Sequence, residues 1–100
     1  MIIPDKLKVG GHEYTVIKDH KFRENSNICA QAAHSVLEIR ISQLTLSGEQ
    51  RPQSTIDESF FHEILHCVDE IYNNSKIEED LISRLSQGLY QTLTDNNLLK

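Results

Sequence analysis

The sequence lacks tryptophan altogether, holds only two cysteines among its 100 residues and contains no long apolar run. Cys29 and Cys67 are too few for the disulfide framework of a small secreted protein, and they form no CxxC pair. We therefore expect two reduced thiols in a reducing, cytoplasmic setting, with a disulfide as the alternative. The first residues lack the basic and apolar regions of a signal peptide, and no apolar stretch is long enough to span a bilayer.

Positive charge is also scarce, since 10 Lys and Arg residues stand against 15 Asp and Glu residues, for a formal net charge of -5. Binding of nucleic acid requires a concentrated basic surface, and Lys18, Lys21 and Arg23 are the nearest approach to one. We therefore expect neither a nucleic-acid nor a membrane partner. Residues 1–100 suit a single small domain, whose limited core would gain stability from a bound metal or from homodimer formation.

The first half of the chain has the pattern of short β-strands. Gly10-Gly11, which lies between apolar residues, tolerates the positive φ of a tight turn and predicts a hairpin over residues 6–18. A polar loop is expected over residues 20–27 and a short extended piece over residues 28–33.

Residues 36–42, with the sequence VLEIRIS, alternate between apolar and other residues. The two predicted faces consist of Leu37, Ile39 and Ile41 on one side and of Val36, Glu38 and Arg40 on the other. This alternation predicts a half-buried strand, followed by a connection over residues 47–53.

The second half has apolar residues at helical spacing. Ser54 and Thr55 are both candidate N-caps of a first helix, which should end near Tyr72. A second helix should begin at Ser75, with Glu78 as its capping-box partner, and end at the run Asp-Asn-Asn. Together these elements predict an α+β fold in which an antiparallel sheet of about three strands packs on two antiparallel helices.

His62, Glu63 and His66 form the motif His-Glu-x-x-His inside the first predicted helix. Residues four apart lie on one face of a helix, so both imidazoles can reach one ion. Catalytic zinc sites combine such ligands with an open position for water. Glu63 is rotated away from the two ligands, where its carboxylate can accept a proton from that water. We therefore predict Zn²⁺ at His62 and His66, with Glu63 as the general base of hydrolysis.

A third protein ligand should come from the start of the second helix, which follows a very short turn and must run antiparallel to the first. Three acidic residues lie there: Glu78, Glu79 and Asp80. Because Glu78 is expected to be occupied as a capping-box partner, Glu79 is the predicted ligand. Glu78 stays open as the alternative, since it lies nearer the centre of the apolar stripe of this helix.

Several other side chains have both a functional and a structural interpretation. Asp69 is either an acceptor that orients a ligand histidine or a surface acid. Tyr90 is either a donor to the oxyanion of a reacting carbonyl or, as base rates favour, a core tyrosine. Cys67 is expected to be a small core residue. The remaining histidines are expected to be ordinary core or surface residues: His12, His20 and His34.

The sequence HEILH on a helix, after a strand region and before a helix with an early glutamate, resembles the gluzincin-type metallopeptidases. The order of elements is similar to the minigluzincins and to small HExxH proteins of phages, and more distantly to the ImmA/IrrE-type metallopeptidases. The resemblance implies zinc ligands at His62, His66 and Glu79, a general base at Glu63, and an extended peptide substrate along a strand beside the zinc. It also makes the side chains of the predicted strand, Glu38 and Arg40, candidates to border the cleft.

These observations predict a minimal zincin-like domain that acts as a zinc metallopeptidase on protein or peptide substrates. The 100 residues leave no room for the second subdomain of larger relatives, so half of the usual substrate-binding wall is expected to be missing. The alternative is therefore a zinc-stabilised protein-binding module that does not cut, or a latent enzyme with residues 96–100 in its cleft. A metal-free helical interaction protein is the third interpretation.

Overall fold

The computed structural model describes residues 1–23 and 27–99 and has an α+β fold, as the sequence predicts. Its elements in chain order are β1 (Lys6–Val9), β2 (His12–Ile17), β3 (Ala30–Ala33), β4 (Glu38–Ile41), α1 (Gln53–Asn73) and α2 (Glu79–Asp95). The loop predicted over residues 20–27 falls partly on residues 24–26, which lie outside the described residues.

The predicted hairpin consists of β1 and β2, which pair antiparallel around a glycine turn. Gly10 and Gly11 have φ values of 58° and 84°, in the left-handed region that other residues rarely adopt. A Cβ atom on Gly10 would also clash with the side chain of Ile71 on α1. Gly10 therefore permits both the turn and the close approach of the helix.

The sheet contains four strands in the order β1-β2-β4-β3. It differs from the predicted antiparallel sheet of about three strands in two ways: residues 30–33 form a full strand, and β2 pairs parallel with β4. The parallel pair arises because β3 and β4 form an antiparallel pair whose inner member, β4, lies beside β2. β3 is thereby left as an edge strand.

β4 is shorter than the strand predicted over residues 36–42. Leu37 has a φ of 54° and belongs to the turn before the strand. The predicted alternation is confirmed inside β4, where Ile39 and Ile41 are fully buried on the face of the sheet that packs against α1. Glu38 and Arg40 lie on the opposite face of the sheet and form an ion pair with each other at 2.8 Å.

α1 begins at Gln53, directly after Pro52, rather than at the predicted caps Ser54 or Thr55. Proline before the first helical residue supplies a fixed φ and needs no N–H bond. The hydroxyl of Thr55 donates instead to the carbonyl of Pro52 at 2.8 Å. The buried face of α1 closes a core with the sheet, to which the following residues contribute: Val9, Tyr14, Val16, Ile39, Ile41, Ile56, Phe60 and Cys67.

The predicted capping box at the start of α2 is wrong. Ser75 has a φ of 54° and lies in the interhelical turn, where its hydroxyl contacts the carboxylate of Glu70. Glu78 occupies the N-cap position of α2 and makes no side-chain capping bond. The turn is instead held by a carboxylate from α1. Capping patterns at the start of α2 do not include it, because it lies several residues earlier in the sequence.

That carboxylate belongs to Asp69, which is 3% exposed near the end of α1. It accepts hydrogen bonds from the side chain of Asn73 at 2.9 Å and from the backbone N–H groups of Lys76 and Ile77 at 3.2–3.3 Å. Its backbone carbonyl accepts from the N–H of Ser75 at 3.0 Å. Asp69 therefore ties the end of α1 to the turn that leads into α2.

Within the described residues, neither helix combines the length and the apolar character needed to cross a membrane.

Candidate metal centre

His62 and His66 lie one helical turn apart on α1, and their Nε2 atoms are 3.1 Å apart. Their rings meet edge to face, with centroids separated by 4.8 Å. The side chains are 20% and 26% exposed, so each ring is anchored in the protein while one edge remains open to solvent. The two Nε2 atoms therefore point towards a common position.

Glu79, the first residue of α2, completes this position. Its Oε1 lies 2.6 Å from Nε2 of His62, and its Oε2 lies 2.8 Å from Nε2 of His66. In the part of the chain that the structure describes, these three residues are the group of side chains with metal-binding spacing. The structure thus brings together the three predicted ligands, while Glu78 lies outside the group.

The donor atoms of this cluster fit a divalent cation better than they fit one another. If both Nε2 atoms carry hydrogen and donate to Glu79, their N–H groups face each other across 3.1 Å. A cation would accept both nitrogen lone pairs and the carboxylate together. Tetrahedral zinc with bonds of about 2.0–2.2 Å holds its ligand atoms roughly 3.3 Å apart. The observed separations of 2.6–3.1 Å therefore require only a small opening.

Electrostatics at His62 combine two opposing effects. Burial lowers the pKa of His62, which favours the neutral imidazole that binds metals. The negative charge of Glu79 acts in the opposite direction. The Glu79 side chain is 66% exposed, which weakens its effect because water screens it.

Glu63 lies next to the cluster but is turned into the protein, with only 5% of its surface exposed. Its carboxylate accepts a hydrogen bond from the backbone N–H of Ala32 on β3. Burial raises the pKa of Glu63 to about 8, the charge of Glu79 adds to this rise, and the Ala32 N–H opposes it. The carboxylate is therefore fixed between α1 and β3 rather than free to rotate in solvent. A cation held by the neighbouring cluster would lower the pKa of Glu63 again and favour the ionised carboxylate that a base requires.

β3 turns part of its backbone towards this site. The N–H of Ser42 donates to the carbonyl of Cys29 at 2.8 Å, so these two residues are a hydrogen-bonded pair of the β3–β4 ladder. Such pairs alternate with pairs whose N–H and C=O groups point away from the partner strand. Ala30 and Ala32 therefore direct their backbone groups to the outer edge, and Ala32 uses its N–H for Glu63.

A cleft of about 460 Å³ runs between the cluster and this edge. One side, the helical wall, consists of His62, Glu63, His66 and Glu79, and the other, the strand wall, consists of Ala30, Gln31, Ala32 and His34. Glu38 and Arg40, expected to border the cleft, do not line it. They lie on the outer face of the sheet, because their neighbours Ile39 and Ile41 face α1.

Three other predicted candidates lie away from the reacting position. Both interpretations of Asp69 are wrong, since it is buried and binds the interhelical turn. Tyr90 packs against Phe61 and donates to the carboxylate of Asp57 at 3.4 Å, which is a structural contact towards the other end of α1. Cys67 is a fully buried core residue, as predicted, and burial raises its pKa to about 11. Both cysteines are free thiols.

His34 is a titratable residue of the cleft for which the sequence predicts no function. It follows β3 in the chain, and nothing in its local sequence links it to the distant motif. The signal that identifies it is three-dimensional, because the strand pairing brings it to the same cleft as His62 and His66.

The described part of the C-terminal tail lies beyond the far end of α2, away from Glu79. α2 has 17 residues and so extends roughly 25 Å from its first residue to its last. The N–H of Leu98 donates to the carbonyl of Leu93, which folds the tail back on its own helix. This placement does not favour the latent arrangement in which the tail fills the cleft.

Comparisons with protein-family models, with curated proteins and with solved structures gave no significant match to this chain.

Proposed function

We propose that this protein is a zinc-dependent peptidase in which His62, His66 and Glu79 hold the metal and Glu63 is the general base. The observation that carries the proposal is the convergence of two imidazoles and one carboxylate beside a buried carboxylate and an edge strand. This donor set is the one in which catalytic zinc keeps a position open. The resemblance of HEILH to the gluzincin motif supports the same assignment.

The residues of the chain would divide the reaction between them. Bound zinc would supply Lewis-acid polarisation of the scissile carbonyl and a lowered pKa for water. Glu63, which the N–H of Ala32 holds against β3, would accept a proton from the attacking water and return it to the leaving amine nitrogen. The contact with Ala32 also ties the position of the base to the strand that borders the substrate.

The edge of β3 supports an extended peptide as the substrate class. The N–H and C=O of Ala30 and the C=O of Ala32 are directed outward, which is the arrangement that accepts an added strand, while the N–H of Ala32 binds Glu63. Their small side chains leave the edge accessible beside the helical wall. Because backbone hydrogen bonds carry no sequence information, we expect several unrelated peptides to be cleaved.

Metal analysis of the purified, untagged chain and cleavage of fluorescein-labelled casein test the proposal together. We expect one zinc per chain, and loss of cleavage by about 10²–10⁴-fold in Glu63→Gln with the zinc retained. Glu70→Gln is the matched control, because Glu70 is an exposed acid on the same helix. Equal cleavage by parent and Glu63→Gln would show that Glu63 is not the base.

A second candidate is a zinc-stabilised protein-binding module that cuts nothing. The observation in its favour is the openness of the site, since the Glu79 side chain is 66% exposed and the described residues supply two walls only. This candidate predicts one zinc per chain, a lower melting temperature with chelator, and no cleavage. A chain that takes up no zinc contradicts both candidates and leaves a helical interaction protein.

Two expectations about the setting accompany the proposal. The free thiols Cys29 and Cys67 support a reducing, cytoplasmic compartment. β1 and β3 are edge strands, and β3 in particular carries no charged residue, so pairing between two copies remains a prediction. Sedimentation at several protein concentrations measures it.

A further inference from the structure

His34 is held by a buried tyrosine at one side of the cleft. Its Nδ1 lies 3.0 Å from the hydroxyl of Tyr14, and the two rings meet edge to face with centroids 6.0 Å apart. Tyr14 is 1% exposed and belongs to the core. The imidazole itself is half-buried and lines the strand wall. The hydroxyl of the buried Tyr14 thus sets the orientation of the His34 ring at the edge of the cleft.

The hydrogen-bond chemistry of this pair selects one tautomer of His34. The Tyr14 hydroxyl has one hydrogen to donate and two acceptors that interact with it, Nδ1 of His34 and the sulfur of Cys67. Imidazole nitrogen is a much better acceptor than sulfur, so the hydroxyl hydrogen goes to Nδ1 rather than to Cys67. Burial raises the pKa of Tyr14 to about 12, which keeps this hydrogen in place at neutral pH. The proton of neutral His34 is then on Nε2.

The position of His34 along the cleft follows from two contacts between β3 and α1. Ala32 reaches Glu63, and two residues later His34 is joined through Tyr14 to Cys67, one helical turn after Glu63. Two residues of strand and four of helix both advance about 6 Å. His34 therefore lies beside an extended peptide about two residues away from the peptide bond that faces Glu63.

We propose that His34 is a substrate-binding residue whose Nε2–H donates a hydrogen bond to the backbone of the bound peptide, with Tyr14 as the residue that positions it. The proposal rests on the peptidase function and on strand addition at β3. It gives the strand wall a side-chain contact on one side of the scissile bond, in addition to the backbone groups of Ala30 and Ala32.

Steady-state kinetics separates this role from a structural one. The probe is a quenched fluorescent peptide, chosen from a random heptapeptide mixture because the parent chain cleaves it. His34→Ala should raise KM about tenfold, the upper range for one neutral hydrogen bond, with kcat changed less than about twofold. His34→Gln, whose amide N–H can reach the position of Nε2, should restore most of the loss. Tyr14→Phe should raise KM about threefold.

The control is His12→Gln, because His12 lies with His34 and Tyr14 beside a neighbouring depression but does not line the cleft. Its KM should equal that of the parent. A second readout needs no turnover: imidazole ¹⁵N spectra should show His34 as the Nε2–H tautomer in the parent and as a mixture of tautomers in Tyr14→Phe.

The outcomes are distinct. A parent that cleaves the probe while His34→Ala has an unchanged KM overturns the role of His34 and leaves the peptidase intact. A lowered kcat at constant KM also overturns it, since the contact would then form only in the transition state. An Nδ1–H tautomer in the parent spectrum contradicts the role of Tyr14. A parent that cleaves no peptide in the mixture overturns the peptidase and this inference together.

Discussion

The two walls of the cleft are built from different parts of the polypeptide. The helical wall presents titratable side chains, two imidazoles and two carboxylates, each at the position that its own helix dictates. The strand wall presents backbone groups of two alanines and one imidazole that is oriented from the core. A helix turns its side chains outward and hides its backbone, whereas an edge strand exposes its backbone. The proposed division between a helical wall that performs the hydrolysis and a strand wall that binds an extended peptide follows from that difference.

The largest expected effect is a loss of zinc affinity when Glu79, in the helical wall, is substituted. Loss of a residue that merely supports a ligand costs about 10–100-fold in metal affinity, so Glu79→Gln should cost at least about 100-fold. Glu78→Gln is a closely matched control, because it makes the same change one residue earlier, outside the cluster. Competition with a chromophoric chelator measures both affinities. Equal losses in the two variants would return Glu78 to consideration as the third ligand.

The residues of the helical wall could be predicted because their relative positions depend on residues that are close in the sequence. His62 and His66 are one turn apart in any helix, and a very short turn forces α2 to bring an early carboxylate alongside. The capping box that favours Glu79 over Glu78 in the sequence does not form. In the structure, the turn held by Asp69 leads into α2 at Glu79, and Glu79 rather than Glu78 lies beside the two imidazoles.

The strand wall was not predictable to the same depth. The alternation of Ile39 and Ile41 predicts β4. Nothing in residues 28–33 predicts that β3 pairs with β4 on the side away from β2, or that β2 pairs with β4 in parallel. Strand order is a long-range property, set by how the whole sheet covers the apolar face of α1. His34 acquires its position only through that order, so its local sequence carries no sign of a role.

A smaller effect, a loss of folding stability, is expected when Asp69 is substituted, because Asp69 holds the turn that leads into α2. Asp69→Asn keeps the size of the side chain but removes the charge that accepts bonds from two backbone N–H groups. Hydrogen bonds to charged groups are worth about 1.5–3 kcal/mol, so the free energy of unfolding should fall by about 2 kcal/mol.

Urea denaturation measures this change, and Asp80→Asn is its control. The ion pair of Asp80 with Arg84 is exposed, and such pairs contribute little. We also expect weaker zinc binding in Asp69→Asn, because the start of α2 is then less well fixed. Unchanged stability in Asp69→Asn would mean that the turn holds itself without this carboxylate.

Strand addition at β3 can be tested without substituting any of the proposed metal ligands or the proposed base. Ala30→Pro removes an N–H that points away from β4, a position at which an edge strand tolerates proline. If a peptide adds to this edge, one backbone hydrogen bond is lost, and KM for the quenched peptide should rise about tenfold. Zinc content and melting temperature should stay close to those of the parent.

The opposite edge of the sheet supplies the matched control for this substitution. The carbonyl of Asp5 accepts from the N–H of Val16, so by alternation Lys8 on β1 also directs its N–H outward. Lys8→Pro therefore makes the same backbone change on an edge strand that does not line the cleft. A similar rise in KM for both variants would point to a general loss of structure and would contradict strand addition at β3.

The smallest expected effect is a loss of folding stability at alkaline pH, which follows from the burial of Tyr14, the residue that contacts His34. The Tyr14 hydroxyl has a pKa of about 12, raised by burial, against about 10 in the unfolded chain. The folded state therefore holds this proton more tightly, so the stabilisation is complete below pH 10 and is lost as the pH rises through 12. Between pH 9 and pH 11, urea denaturation should show the parent losing about 1 kcal/mol more than Tyr14→Phe. Equal losses would mean that Tyr14 ionises as a solvent-exposed tyrosine does, and that it is not the buried anchor that His34 requires.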